Sequence, residues 1–160
     1  MVTEEAGSRL RFPASRPRPP RPPELSMSAP RPVVLFVCVH NAGRSQMAAA
    51  WTRHLGRGRV DVRSAGSATG ERVHENVVAV MGEVGLSLDA VPRRLSDADL
   101  AAATVVVTMG CGDACVAKAG ARREDWPIPD PKGQDLATTR AIRDAIRARV
   151  ETLLASLAAP

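Results

Sequence analysis

Residues 33–45 read VVLFVCVHNAGRS. The six apolar residues at its start are too continuous for a strand with one wet face and predict a strand buried on both faces. Such a strand needs helices on both sides, which confines the chain to parallel α/β architectures. The run ends in Cys38. Five residues then lead to Arg44, and Ser45 opens a helical pattern.

Cys-x5-Arg-Ser at the end of a buried strand is a way to build a thiolate beside a cradle for a tetrahedral oxyanion. An isolated cysteine is mostly thiol at neutral pH. A tight strand-to-helix loop turns backbone N–H groups inward, and the following helix adds its positive end. The expected oxyanion-binding loop is Val39, His40, Asn41, Ala42, Gly43 and Arg44. Arg44 can grip two oxygens with its planar fork, and Ser45 can donate a hydroxyl proton toward the sulfur. Gly43 permits torsions that a side chain would block, and Asn41 tolerates left-handed backbone. His40 is read as either a contact to the anion or a surface loop residue. His54 and His74 are read as exposed helix residues, and Trp51 and Trp126 as packing.

After this segment, strand and helix patterns alternate. A helix is predicted over 45–56, a strand over 60–64, a turn at 65–67 and a helix over 72–84. Ser96-Asp97-Ala98-Asp99 resembles a capping box for a short helix through Ala102. A third strand is predicted over 104–109, a weaker fourth near 124–128, and a last helix over 138–157 with Ile142, Ile146, Val150, Leu153 and Leu157 on one face. Right-handed crossovers then give a flavodoxin-like three-layer sandwich with a four-stranded parallel sheet of order 2-1-3-4. In that order the third strand lies beside the first, so Cys111, just after the third strand, comes near the Cys38 end with modest loop movement.

Residues 9–32 hold eight prolines and six arginines. Such a segment cannot bury apolar surface, so residues 1–31 are expected to be a disordered Pro/Arg-rich extension preceding a single domain over 32–160. Its PxxP spacing also suits an SH3-type ligand. Met27 is a candidate start position that would make the tract dispensable. The net charge of +5 divides into +3 within residues 1–32 and only +2 beyond them. With no basic stripe and only 2% aromatics, a nucleic-acid partner is not expected. Nor is a membrane partner, since no apolar run approaches the ~20 residues of a span. No secretory pattern opens the chain, so a cytoplasmic location is expected. Cys38, Cys111 and Cys115 are an odd set of thiols, which in a reducing compartment suggests catalysis or redox use. Cys-x3-Cys without a second pair is a poor zinc site, and no metal site is predicted.

Further segments carry a resemblance. They are Ser64-Ala65-Gly66, the run from Val105 through Met109-Gly110-Cys111-Gly112-Asp113-Ala114-Cys115, Glu124-Asp125-Trp126, and Asp130-Pro131-Lys132-Gly133-Gln134. Together with Cys38–Ser45, and in this order, they resemble the low-molecular-weight tyrosine phosphatase superfamily and, within it, the arsenate reductases. The resemblance implies Cys38 as nucleophile, Arg44 and the loop amides as oxyanion holders, Ser45 as thiolate stabiliser and Asp130 as general acid. Asp-Pro-x-Gly is also a turn signature able to fix a carboxyl over a pocket.

Tyrosine-specific members resemble one another in aromatic residues after Asp-Pro. Here Lys132 and Gly133 follow, and the chain has no tyrosine. The resemblance therefore points to arsenate, with phosphate or sulfate as competing anions and no tightly bound cofactor. A thiol co-substrate is implied. It is either mycothiol with mycoredoxin, which the compact Cys111–Cys115 spacing favours, or reduced thioredoxin acting through Cys111 and Cys115 as resolving thiols. The alternatives are a phosphatase for phosphotyrosine or small phosphomonoesters, and a non-catalytic anion- or thiol-sensing module.

Overall fold

The computed structural model describes residues 30–88, 90–111 and 120–158. Residues 1–29 of the proposed N-terminal extension, Met27 among them, and Cys115 lie outside the described residues. The element order is β1 (Val33–Cys38), α1 (Arg44–Gly56), β2 (Asp61–Gly66), α2 (Glu75–Glu83), α3 (Asp97–Ala102), β3 (Val105–Met109), β4 (Arg122–Asp125) and α4 (Leu136–Ala158). All strand pairs are parallel, and the sheet order is β2-β1-β3-β4, as the alternating pattern predicts.

Strand alternation sorts the core into two layers. Val34, Phe36 and Cys38 of β1 share one face with Val105, Val107 and Met109 of β3, beneath α1, α2 and α4. Leu35, Val37 and Val106 point to the other face, against Leu100 of α3. With so few aromatics the core is mainly aliphatic, and Phe36 meets Trp126 with ring centroids 5.6 Å apart. Trp51 is buried under the Arg147 guanidinium, 5.0 Å from the ring centroid, so both tryptophans pack within the fold.

Four elements differ from the sequence reading by two residues or more at a boundary, each for a physical reason. β2 runs through Ala65 and Gly66, where a turn was expected, because these residues stay in register with Val37 and Cys38. α2 starts at Glu75 instead of residue 72, because the N–H groups of Gly70 and His74 bond to carbonyls of the loop after β1. β4 occupies Arg122–Asp125, earlier than 124–128. It leaves the ladder after the Trp126 N–H bonds Thr108 O, where Pro127 and Pro129 supply no donors. α4 begins at Leu136, two residues early, since the Asp135 carboxylate accepts the Thr138 N–H at 2.7 Å. The capping box is present, with Ser96 and Asp99 each bonding the other's backbone N–H.

Ile146 is fully buried where α4 meets the larger core layer. Ile146→Ala is expected to cost about 2–5 kcal/mol. It should lower the urea midpoint without changing the slope of the transition.

Candidate active site

The loop between β1 and α1 bends because its carbonyls are tied back. Cys38 O accepts from Ser67 N at 3.2 Å, Val39 O from Ala68 N at 2.8 Å, His40 O from Gly70 N at 2.9 Å and Ala42 O from His74 N at 2.9 Å. Asn41 O accepts from Gln46 Nε2 at 3.2 Å, and Gly43 O from Met47 N at 3.0 Å. In a trans peptide the N–H lies opposite the preceding carbonyl. With the His40 carbonyl held away, the next N–H, that of Asn41, faces the side where the Cys38 sulfur lies. The Asn41 N–H donates to Cys38 Sγ at 3.2 Å. Asn41 holds a left-handed backbone, φ 52°, as the sequence led one to expect. Gly66 allows the approach of β2, since a Cβ there would sit 2.8 Å from Val39 O.

Ser45 Oγ lies 2.9 Å from Cys38 Sγ and accepts from Asn41 Nδ2 at 2.8 Å. The amide occupies an acceptor site of the hydroxyl, which leaves its proton to point at sulfur. A thiolate, which only accepts, suits both contacts. The first turn of α1 carries no acidic residue, so its positive end is uncompensated on this side.

Arg44 is buried, 8% exposed, and donates from Nη1 to Ile128 O at 3.3 Å. Its Nη2 lies 3.6 Å from Asp130 Oδ2. Gly110, φ +84°, makes room for this guanidinium: a Cβ there would stand 2.5 Å from Arg44 Nη1. Asp130 is half exposed, and its Oδ1 accepts the Lys132 N–H at 3.0 Å. The Pro131 ring rests on Gly43, where a Cβ would meet Pro131 Cγ at 2.9 Å. Cys38, Ser45, Arg44, the loop 39–44 and Asp130 are thus gathered at the carboxyl end of the sheet, 92 residues separating the two ends of the set.

Cys111 is placed differently. By strand alternation, it would share the face of Val107 and Met109, and hence of Cys38. The left-handed turn at Gly110 breaks the alternation. Cys111 packs instead on the Leu35–Val37 layer, its Sγ 3.8 Å from Val37 O. Cys115 is outside the described residues.

Several supporting residues were not read from the sequence. Asn41 Oδ1 accepts the Arg93 N–H at 3.0 Å. The Arg93 guanidinium grips Asp99 with two bonds of 2.8 Å, and Ser96 donates to the same carboxylate. These partners, Arg93 first, hold the Asp99 carboxyl well below the usual carboxylate range despite its burial. His74, expected on an exposed helix, is the half-buried residue preceding α2, with its ring against Gly43. Burial pushes its titration below the ordinary histidine value, more strongly than nearby Asp130 raises it, with Lys132 and His40 adding to the lowering. His40 Nδ1 lies 2.9 Å from Ala68 O, which fixes its ring on the loop's outer wall. His54 is exposed. Among the described residues, no group of three or more His, Cys, Asp or Glu could hold a metal ion. Among them, too, no helix is long and apolar enough to cross a membrane.

Fold and loop together define a class of parallel α/β proteins that carry a cysteine at the carboxyl edge of the sheet, in the loop between a buried strand and a helix. The chain belongs to the family described as low molecular weight phosphotyrosine protein phosphatase, whose sequence profile matches residues 33–160. It is 40% identical over 124 residues to a putative arsenate reductase of Halobacterium salinarum, covering 74% of this chain and 87% of the relative. It is 35% identical over 132 residues to a glutaredoxin arsenate reductase of Synechocystis, covering 78% and 97%. Among solved structures, it matches a thioredoxin-dependent arsenate reductase of Corynebacterium glutamicum with a TM-score of 0.71 and 39% identity. That match covers 81% of this chain and 63% of the other.

The Asp99 carboxyl titrates lower in the folded chain than in the unfolded one. Its stabilisation is therefore present above about pH 4 and lost as pH falls through the folded value. Asp99→Asn should be less stable than the parent at pH 7. The gap in urea midpoint should narrow on acidification below about pH 4; a gap independent of pH would contradict this assignment.

Proposed function

We propose that the protein reduces arsenate to arsenite through a covalent adduct on Cys38. The observation that carries this reading is a second thiol, Cys111, just beyond the end of β3, the strand paired with β1 so that Cys38 faces Met109. A phosphatase does not require it, whereas a reductase can use it as a resolving thiol. Two further features support the reading: Lys132 and Gly133 stand where a ring-gripping aromatic would serve a tyrosine substrate, and the relatives above are named as arsenate reductases.

Arsenate occupies the loop as phosphate would, its oxygens on the amides and the Arg44 fork. The Cys38 thiolate attacks As(V), an As–S bond forms and an As–O bond breaks. Asp130 gives its proton to the departing oxygen, which leaves as water. Reduction then needs two electrons from thiols. In the external route, mycothiol takes the arsenic from Cys38. A mycoredoxin thiolate then attacks the mycothiol sulfur, the As–S electron pair stays on arsenic as As(III), and a mixed disulfide remains. This route does not call on Cys111, whose Sγ packs on the Leu35–Val37 layer. In the internal route, Cys111 attacks Cys38 sulfur and releases As(III) arsenite. Cys115 then takes over the disulfide, and thioredoxin reduces it. The likeness to a thioredoxin-dependent reductase favours this second route.

The test is arsenate consumption with the mycothiol–mycoredoxin and thioredoxin systems offered separately, alongside p-nitrophenyl phosphate. Arsenite should form with at least one system, and Cys38→Ser should abolish it, a loss of about a thousandfold or more. Cys111→Ser should stop turnover with thioredoxin only. Phosphate release without arsenite would establish the phosphatase reading, and neither reaction would leave a sensing module.

A further inference from the structure

The segment that opens α2 touches both halves of the site. The His74 N–H holds Ala42 O of the anion loop at 2.9 Å. Two residues on, Asn76 Nδ2 reaches Pro131 O at 2.7 Å, Thr139 Oγ1 at 3.0 Å and Gln134 O at 3.3 Å. Two of these partners are carbonyls, which only accept, so the amide nitrogen must face them. With two hydrogens for three acceptors, the longest contact is shared. Pro131 follows Asp130 directly and packs on Gly43. Asn76 thus fastens the acid-bearing loop to the same short stretch of backbone that fastens the anion loop.

This stretch is itself anchored. Arg143 of α4 donates to Val80 O at 2.9 Å, and Arg140 clasps Glu83 with contacts of 2.7 and 2.9 Å. Asn76 also bonds Thr139 at the start of α4. α2 and α4 therefore form a fixed frame across which the height of Asp130 above the anion loop is set. Within its own turn the acid loop has only local bonds, Lys132 N to Asp130 Oδ1 and Gln134 N to Pro131 O at 3.1 Å. These keep the turn folded; Arg44 holds the loop ahead of Pro131, at Ile128 O and Asp130 Oδ2, and Asn76 holds it from Pro131 onward.

We propose that Asn76 is a positioning residue for Asp130, holding its carboxyl at the distance from the anion loop at which it protonates the departing oxygen. The inference rests on the acid role given to Asp130 above. Asn76 touches no reacting atom. Its removal frees the acid loop to shift against Gly43, and a displacement on the order of 1 Å at a reacting geometry can cost about a hundredfold in rate.

The experiment is a double-mutant cycle between Asn76→Ala and Asp130→Asn, with arsenate turnover measured in whichever reductant system supports the parent protein. Asn76→Ala should lower kcat about ten- to a hundredfold with the KM for arsenate within about twofold, since anion binding is left intact. In the Asp130→Asn background, the same substitution should change kcat by less than about twofold, because the group it positions is already gone. Asn76→Ser, which is too short to reach Pro131 O, should behave like the alanine variant. Equal losses in both backgrounds, or unchanged kcat in Asn76→Ala, would overturn the inference while leaving the reaction standing. So would unfolding of both Asn76 variants in thermal melts, which would assign Asn76 to the fold. Full activity of Asp130→Asn alone would instead sink the acid assignment, and this inference with it.

Discussion

Six consecutive carbonyl oxygens, from Cys38 to Gly43, are each satisfied by a hydrogen bond, and together these bonds set the course of the loop that follows β1. A ring of amide dipoles pointing one way is electrostatically costly unless the opposite ends are satisfied. Four of the six partners are N–H groups from residues 67–74, which explains much of the surrounding architecture. β2 has to run on to Gly66 to deliver that segment, and Gly66 has to lack a side chain for it to pass. α2 starts late, because the residues before it are already committed to the loop. Arg93, Asp99 and Ser96 brace the same loop from the opposite layer through Asn41.

The parts that were legible in the sequence are those whose causes are local. Continuous apolar runs marked β1 and β3, the glycine after residue 84 marked the end of α2, and Ser96-x-x-Asp99 marked the start of α3. Alternation implied a parallel sheet, and the flavodoxin-like arrangement supplied its strand order. Cys38, Arg44 and Ser45 were legible because one strand, one loop and one helix turn place all three. Asp130 was reached only through resemblance and turn chemistry, since its approach to Arg44 is made by Pro131 on Gly43 across the sequence.

What was missed depends on long-range partners. Nothing local marks His74 or Asn76 as bracing residues, because their bonds go to residues 42, 131, 134 and 139. The capping box pointed to Asp99 but not to its grip on Arg93, which adds a second use to a helix cap. Cys111 was expected to come near Cys38 through strand adjacency and modest loop movement, on the face its alternation with Met109 implies. One left-handed glycine moved it to the other layer, and that same glycine opens the space filled by the Arg44 guanidinium. A single backbone choice at Gly110 therefore makes room for the Arg44 guanidinium and turns Cys111 toward the Leu35–Val37 layer.

The central claim is that Cys38 forms the floor of an oxyanion cradle. Its most direct test is iodoacetamide labelling of the full chain at neutral pH, with the modified cysteine mapped by mass spectrometry in the presence and absence of arsenate or phosphate. Prompt labelling is expected at Cys38, suppressed by either anion in proportion to its occupancy. Labelling of Cys38 that is indifferent to both anions, or a Cys38 that stays inert while Cys111 and Cys115 react, would contradict it.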